Sequence, residues 1–599
     1  MARAGALQWQ QGNGYRFADV QVPADGKTGF ALLPGQSTGI SFTNHLSDFF
    51  AAKNRILENG SGVALGDVDG DGWCDIYFCR LEGPNVLYRN LGNWRFEDIT
   101  QSAGVACDGQ FSTGALLADV DGNGTLDLLV NSIGGGTRLF LNDGKAHFTE
   151  VMDSGLARQF GSTSMAMADI DGDGDLELYV ANYRTTTFKD APPGIVPPQT
   201  RRVDGKIVVT PEDRFAGVLT KGGAIRLREV GEPDILYVNK GQGHFGAISW
   251  LSGAFVDDEG NKLSGLPRDW GLSAMFRDIN GDGTPDIYVC NDFFYSPDRV
   301  WLNEGGRRFR AAPRLALRDM SMSSMSVDFA DINRDGFDDI FVADMLSRDH
   351  LARHRQRANT MLMREAPLPI TDSEFRPEVI RNTLFLNRGD GTYAEIAQFA
   401  GLQASEWSWS AIFMDVDLDG YEDLLITNGN DRDVLDADTI KETAVAGKSA
   451  EQHLKDLQKF PRLETANLAF RNRGDLTFEE KGASWGFNTP GVSHGMALAD
   501  LDNDGDLDVV VNNLNSGAGI YRNETPAARV AIRLKGVAPN TRGIGAKIKV
   551  SGGPVTQSQE MIAGGRYLSC DDSVRVFAGG SATNNLKIEV TWRSGRRSV

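Results

Sequence analysis

Asp67-Val68-Asp69-Gly70-Asp71-Gly72-Trp73-Cys74-Asp75 runs directly into Ile76-Tyr77-Phe78, an acidic loop feeding a wholly apolar stretch. Acids at positions 1, 3, 5 and 9 crowd negative charge into one turn. Two carboxylates about 4 Å apart repel by about 4 kcal/mol at an effective dielectric of 20, so the pattern asks for a cation. Glycine at position 6 allows the sharp turn that brings alternate side chains together. Position 9 returns a carboxylate at the start of the following strand, and position 7 offers its carbonyl.

The loop recurs six more times, with glycine always at position 6. Beside Asp67, Asp69, Asp71 and Asp75, its ligand positions are Asp119, Asp121, Asn123 and Asp127 in the second copy. They are Asp169, Asp171, Asp173 and Glu177 in the third, and Asp278, Asn280, Asp282 and Asp286 in the fourth. The fifth has Asp331, Asn333, Asp335 and Asp339, and the sixth Asp415, Asp417, Asp419 and Asp423. The seventh has Asp500, Asp502, Asp504 and Asp508. An all-oxygen, carboxylate-rich, flexible set suits Ca²⁺, up to seven ions, better than Zn²⁺, copper or the tighter octahedral Mg²⁺. An EF-hand is rejected, because position 12 is Phe78, Val130, Val180, Val289, Val342, Ile426 or Val511, inside a strand, where that motif needs Glu. Metal-free hairpin turns would account for the glycines but not for acids at four fixed positions.

Each loop is preceded by a small-residue strand a, as in Ser164-Met165-Ala166-Met167-Ala168, and followed by an apolar strand b. A strand c ending in Asn pairs one-to-one with the loops, as in Leu139-Phe140-Leu141-Asn142 and Leu384-Phe385-Leu386-Asn387. In six copies a Gly turn and an aromatic strand d follow, as in Gly92-Asn93-Trp94-Arg95-Phe96. Four strands per repeat without 3.6-residue periodicity describe a blade, so the reading is an all-β, seven-bladed β-propeller with four-stranded blades. Its expected extent is 38–524, after an N-terminal extension at 1–37 and before a small C-terminal β domain at 529–599. The seventh repeat lacks a strand d, and Gly39-Ile40-Ser41-Phe42-Thr43-Asn44 is expected to supply it and close the ring.

The formal charge of −20 argues against nucleic acid, which needs a basic surface. No window is long and apolar enough for a membrane span. The five cysteines show no C-x-x-C spacing. A Cys79–Cys107 disulfide and buried free thiols stand as equal alternatives. Met1-Ala-Arg-Ala-Gly lacks a signal peptide's apolar stretch, and the chain stops directly after a strand-like run. The expectation is export, with a leader missing ahead of Met1 and trimming at the C-terminus; retention inside the cell is the alternative.

The loops and their strands resemble the FG-GAP/VCBS repeats of integrin-α-type propellers. Arg542-Gly543-Ile544-Gly545-Ala546, Gly565-Arg566-Tyr567-Leu568-Ser569 and Val590-Thr591-Trp592-Arg593-Ser594-Gly595 resemble the ASPIC/UnbV domain. Together they are similar to the cartilage acidic protein family. The resemblance implies Ca²⁺ held by the side chains at positions 1, 3, 5 and 9 and by the carbonyl at 7, and a secreted, periplasmic or cell-surface protein. It implies no reaction.

Insertions at about 183–232, 345–379 and 429–466 separate strands b and c, which places them on the face opposite the acidic loops. Such loops are where a protein or glycan partner would bind. The second is basic (Arg348, His350, Arg353, His354, Arg355, Arg357) and reads as an amphipathic helix facing an anionic ligand, or as a solvated surface helix. Six residues before each loop, strand a carries Ser61, Thr113, Thr163, Leu272, Met325, Trp409 and His494, expected to ring the channel mouth. Trp407, Trp409 and His494 are the candidate ligand-binding residues, with inter-blade packing as their ordinary alternative. No nucleophile elbow, zinc helix, P-loop or paired-cysteine motif occurs. The leading reading is therefore an interaction module with structural calcium, and the alternative is a carbohydrate lyase or hydrolase with its site at the same mouth.

Overall fold

The structure, a computed structural model, describes residues 7–23, 25–190, 198–203, 206–219, 225–293, 296–363, 377–443, 450–581 and 584–599. Seven antiparallel sheets follow one another along the chain, each opening on strand a and turning through an acidic loop into strand b. Blade 1 is Val63–Gly66, Asp75–Phe78, Val86–Asn90 and Phe96–Asp98, and blades 2 to 6 repeat that order. The inner strands pack each against the next, and that of blade 7 (Ser493–Ala499) returns against blade 1, closing the circuit. Strand b is buried along its whole length in blades 1 to 6, because its two faces pack on the two neighbouring blades. The apolar clusters accordingly lie between blades; one joins Val63, Leu65 and Ile76 of blade 1 to Ala497, Val510 and Ile520 of blade 7. Each buried aliphatic side chain there stabilises the ring by about 1.5–3 kcal/mol.

Ring closure differs from the expectation. The fourth strand of blade 7 is Phe30–Leu32, paired antiparallel with Gly519–Asn523, so the chain enters the propeller ahead of residue 38. Phe30 is the better anchor, since it packs against Phe487 and Tyr521 inside the blade 6–blade 7 layer. Residues 39–44 meet blade 7 through bridges at Thr43–Gly517 and Asn44–Leu514 and through Ile40 and Phe42 in its apolar layer, without adding a paired strand, and Phe42 stacks on Phe78 of blade 1 at 4.5 Å.

All three insertions fall between strands b and c. The first carries the strands Gln199–Val203, Lys206–Thr210, Phe215–Leu219 and Ile225–Glu229, the second the helix His350–Met363, and the third the helices Ala437–Thr443 and Ala450–Leu457. An N-terminal helix, Asp48–Lys53, lies among them: Asp48 pairs with Arg432 and Arg462, and Ala52 packs on Leu457 and Phe460. Arg348 pairs with Glu480, and Arg353 donates to the Ser347 carbonyl; residues 364–376 and the Arg357 side chain lie outside the described positions.

The C-terminal region builds a two-stranded antiparallel sheet, Arg529–Arg533 with Val574–Ala578, and a second sheet ordered Gln557–Glu560, Lys547–Ser551, Lys587–Thr591, Arg597–Ser598. Between them, residues 563–572 leave this domain and run through the propeller channel. All five cysteines are free and buried, so the thiol alternative holds. No helix among the described residues is long and apolar enough to cross a membrane.

Candidate metal centres

The seven loops share one local geometry, built by their glycines and their end residues. Position 6 has φ between 83° and 99° in every copy, a region open to glycine and strained for other residues. Its N–H donates to the position 1 carboxylate in all seven, as from Gly72 to Asp67 at 3.0 Å and from Gly420 to Asp415 at 2.8 Å. The position 9 carboxylate, first residue of strand b, accepts the position 2 N–H in all seven; Asp127 accepts from Val120 at 3.0 Å. Positions 1 and 9 are thus held by backbone donors while positions 3 and 5 project between them.

In five copies carboxylate oxygens of three acids lie within 4.8 Å of one another. These are Asp67, Asp69 and Asp71; Asp119, Asp121 and Asp127; Asp169, Asp171 and Glu177; Asp415, Asp417 and Asp423; and Asp500, Asp502 and Asp504. The two remaining copies, at Asp278 and Asp331, carry Asn at position 3 and so fewer acids. Burial pushes Asp127 up to about 7 and Glu177, Asp339 and Asp500 up to about 8, with the neighbouring carboxylates adding to the backbone-opposed rise. Oxygens of Asp119, Glu177, Asp278, Asp417 and Asp502 are buried without a hydrogen-bond partner. A buried carboxylate oxygen left unpaired is costly, and a cation beside it removes that cost. The donor set, all oxygen with orphaned lone pairs, fits a hard divalent ion.

Sequence reading noted the Asn of strand c without its role. Its side-chain amide reaches the position 2 carbonyl of the preceding blade's loop: Asn90 to Leu501, Asn142 to Val68, Asn239 to Val120, Asn303 to Ile170 and Asn472 to Ile332, all at 2.8–2.9 Å. Tyr393 takes over in blade 5, donating to the Ile279 carbonyl, and Thr525 takes over after blade 7, donating to Val416. In six blades the Asn N–H also donates to the position 9 acid. Every loop is therefore latched to the next blade; the one-to-one pairing of Asn with loop was the available signal.

The ring of strand-a residues is formed, but it lines a filled channel. Trp407, Trp409 and His494 are buried, at 7%, 3% and 0% exposure, and Trp409 contacts both His494 and Tyr567. His494 sits against the Glu58 carbonyl at 2.9 Å, and burial drives it down to about 3, so it stays neutral. These three side chains are placed as the packing alternative has them: the C-terminal segment fills the channel from within, and the segment around Glu58 and Asn59 covers it. Tyr567 donates to the Asn59 carbonyl at 2.9 Å. Below it, Cys570 pairs in parallel with Ala64, and Ala563–Gly564 pairs with strand a of blade 3. The Leu568 carbonyl accepts from Ala115, and Asp571 from Leu498. Arg566 pairs with Asp328 at 2.6 Å and Asp571 at 2.8 Å. A Cβ on Gly62 would lie 1.7 Å from the Leu568 carbonyl, which is why this inner strand needs glycine. Further domain contacts reach the loops: Thr541 donates to Asp119, and Arg593 to the Asp169 carbonyl at 2.9 Å.

The FG-GAP-like repeat profile matches residues 67–130, 119–180, 278–342, 379–426 and 436–511, and the ASPIC and UnbV profile matches 536–599. Cartilage acidic protein 1 of Xenopus tropicalis and of Mus musculus are each 35% identical over 95 residues, 15% of this chain. The match spans only 15% of either relative's length. Among solved structures, the BP39L lectin of Burkholderia pseudomallei superimposes with a TM-score of 0.33 at 11% identity, over 61% of this chain and 78% of the lectin. The rhamnogalacturonan lyase YesW gives 0.28 at 11% identity, over 78% of this chain and 90% of that one.

Proposed function

This chain belongs to the FG-GAP-like repeat family and carries an ASPIC and UnbV domain, and from that premise we propose that it is an exported, calcium-binding propeller acting as an interaction module. The observation that carries the calcium reading is the repeated cage: acids at positions 1 and 9 held by backbone donors, with buried oxygens left unpaired in five of the loops. The ions are structural in this reading. Each loop is latched to the next blade, five by an Asn amide and two by the Tyr393 and Thr525 hydroxyls, so ordering a loop orders a blade interface, and none presents a site arranged around a substrate.

Export accords with that reading, because millimolar calcium outside the cell fills oxygen sites of even modest affinity. A net charge of −20 disfavours nucleic acid as partner. The partner surface is assigned to the insertion face, where long b–c segments and the N-terminal helix meet, and the partner class is protein or glycan. The alternative is a carbohydrate lyase or hydrolase with its site on the insertion-bearing face; Trp409 and His494 are buried beside Tyr567, so such a site would draw on other side chains of that face.

Equilibrium dialysis against calcium, followed by elemental analysis, tests the proposal. Up to seven calcium ions per chain are expected, with a fall in Tm on chelation. No bound calcium at millimolar concentration, and an unchanged Tm, would overturn it.

A further inference from the structure

Loops differ in how many acids occupy positions 1, 3, 5 and 9. Copies 1, 3, 6 and 7 have four, whereas copies 2, 4 and 5 replace one with Asn. The difference is matched by cations. In copy 1 the Arg89 guanidinium bridges positions 3 and 5, with Nε 2.5 Å from Asp69 and Nη2 2.9 Å from Asp71. In copy 6 Arg471 does the same with the same atoms, at 2.5 Å to Asp417 and 2.6 Å to Asp419. In copy 3 the fork comes from the neighbouring blade, Arg307 lying 2.5 Å from Asp171 and 3.4 Å from Asp173. In copy 7 the two jobs are divided: the Trp94 indole donates to Asp502 at 3.0 Å, and Arg529 pairs with Asp504 at 2.9 Å.

The three-acid copies have no such arginine among the described residues. Their own Asn makes the link: Asn123 donates to Asp121 at 3.1 Å, Asn280 to Asp282 at 2.9 Å and Asn333 to Asp335 at 2.9 Å. A donor therefore joins positions 3 and 5 in copies 1 to 6, and where the acids number four it carries a charge. Counting only those four positions with the arginine that forks positions 3 and 5, copies 1 to 6 come to a formal charge of about −3; Arg334 of copy 5 is turned to Glu422 of the next loop at 2.5 Å, and in copy 7 Arg529 is shared with Asp506, also 2.9 Å away.

We propose that Arg89, Arg307 and Arg471 are built-in counter-charges that bring their four-acid loops level with the three-acid ones, limiting how tightly those loops hold a divalent cation. The inference rests on the calcium reading above. The arginines arise from different places (strand c in copies 1 and 6, a neighbouring blade's turn in copy 3), yet meet the same acids. Such convergence follows from charge balance and not from the repeat itself. An ammonium should serve as well as a guanidinium for this purpose, whereas a neutral amide should not.

Copy 1 offers a site-specific reporter, because Trp73 occupies its position 7, next to the ligands. Terbium emission excited through the indoles, less that of Trp73→Phe, isolates this loop, and competition with Ca²⁺ measures its affinity. Arg89→Gln is expected to bind Ca²⁺ about tenfold more tightly than the wild type, and Arg89→Lys within about twofold. Arg89 is partly exposed, so neither change threatens folding. Unchanged or weaker binding by Arg89→Gln would overturn the proposal while leaving the calcium reading intact. Absence of any Trp73-dependent emission in the wild type would mean that copy 1 binds no such ion and would overturn this proposal, while dialysis of the other loops decides the calcium reading separately.

Discussion

At the scale of single residues, the carboxylates decide how the protein responds to pH. Burial raises Asp127 to about 7 and Glu177, Asp339 and Asp500 to about 8. A carboxyl whose folded pKa exceeds its unfolded one contributes stability that is complete below the unfolded value and is lost as pH rises through the folded value. Calcium-free protein should therefore lose stability between about pH 4 and pH 8. Bound calcium favours the ionised carboxylates, so the loaded protein should instead hold or gain stability across that range. Urea midpoints at pH 5.5 and 8.5, with and without calcium, check this: the calcium-free midpoint is expected to be the lower at pH 8.5. A calcium-free midpoint that rises with pH would contradict it.

At the scale of elements, the unit of cohesion is a loop plus the strand c of the next blade. Asn142 donates to the Val68 carbonyl of blade 1 at 2.8 Å and to the Leu126 carbonyl of its own loop at 2.9 Å, and its own N–H reaches Asp127. Replacing it with alanine leaves two buried carbonyls without donors, at a cost of about 2–4 kcal/mol. Denaturant unfolding of Asn142→Ala measures this, and a loss below about 1 kcal/mol would show that the latch contributes little. Loop and latch were unequally legible. Acids at fixed spacing announce a cation because charge repulsion is local. An amide reaching into the preceding blade has no local signature beyond its repetition, which marked the Asn as significant without saying what it touches.

At the scale of the whole molecule, the C-terminal domain is the axle of the ring. Its segment 563–572 runs beside inner strands of several blades, and Arg566 brings its charge to Asp328 deep inside. Removing one partner of such a buried pair costs several kcal/mol, so propeller and C-terminal domain should not unfold independently. Calorimetry of the full chain is expected to give one cooperative transition in which both parts melt together. Two separated transitions, with the C-terminal sheet melting alone, would contradict the coupling.

What the amino-acid order determined by itself was everything repeated and close in sequence: the acidic loops, the order of four strands, the positions of the insertions and the glycine turns. These follow from charge, chirality and alternation over fewer than ten residues, and they recur often enough to exclude chance. What only the tertiary structure decided were the single, long-range choices. Phe30–Leu32 rather than 39–44 closes blade 7, because it is Phe30 that reaches the Phe487–Tyr521 layer. Tyr567 fills the mouth beside Trp409 and His494, because a segment entering from the far end of the chain satisfies inner-strand hydrogen bonds that no repeat could supply for itself. Such contacts join residues hundreds of positions apart, and each is made only once.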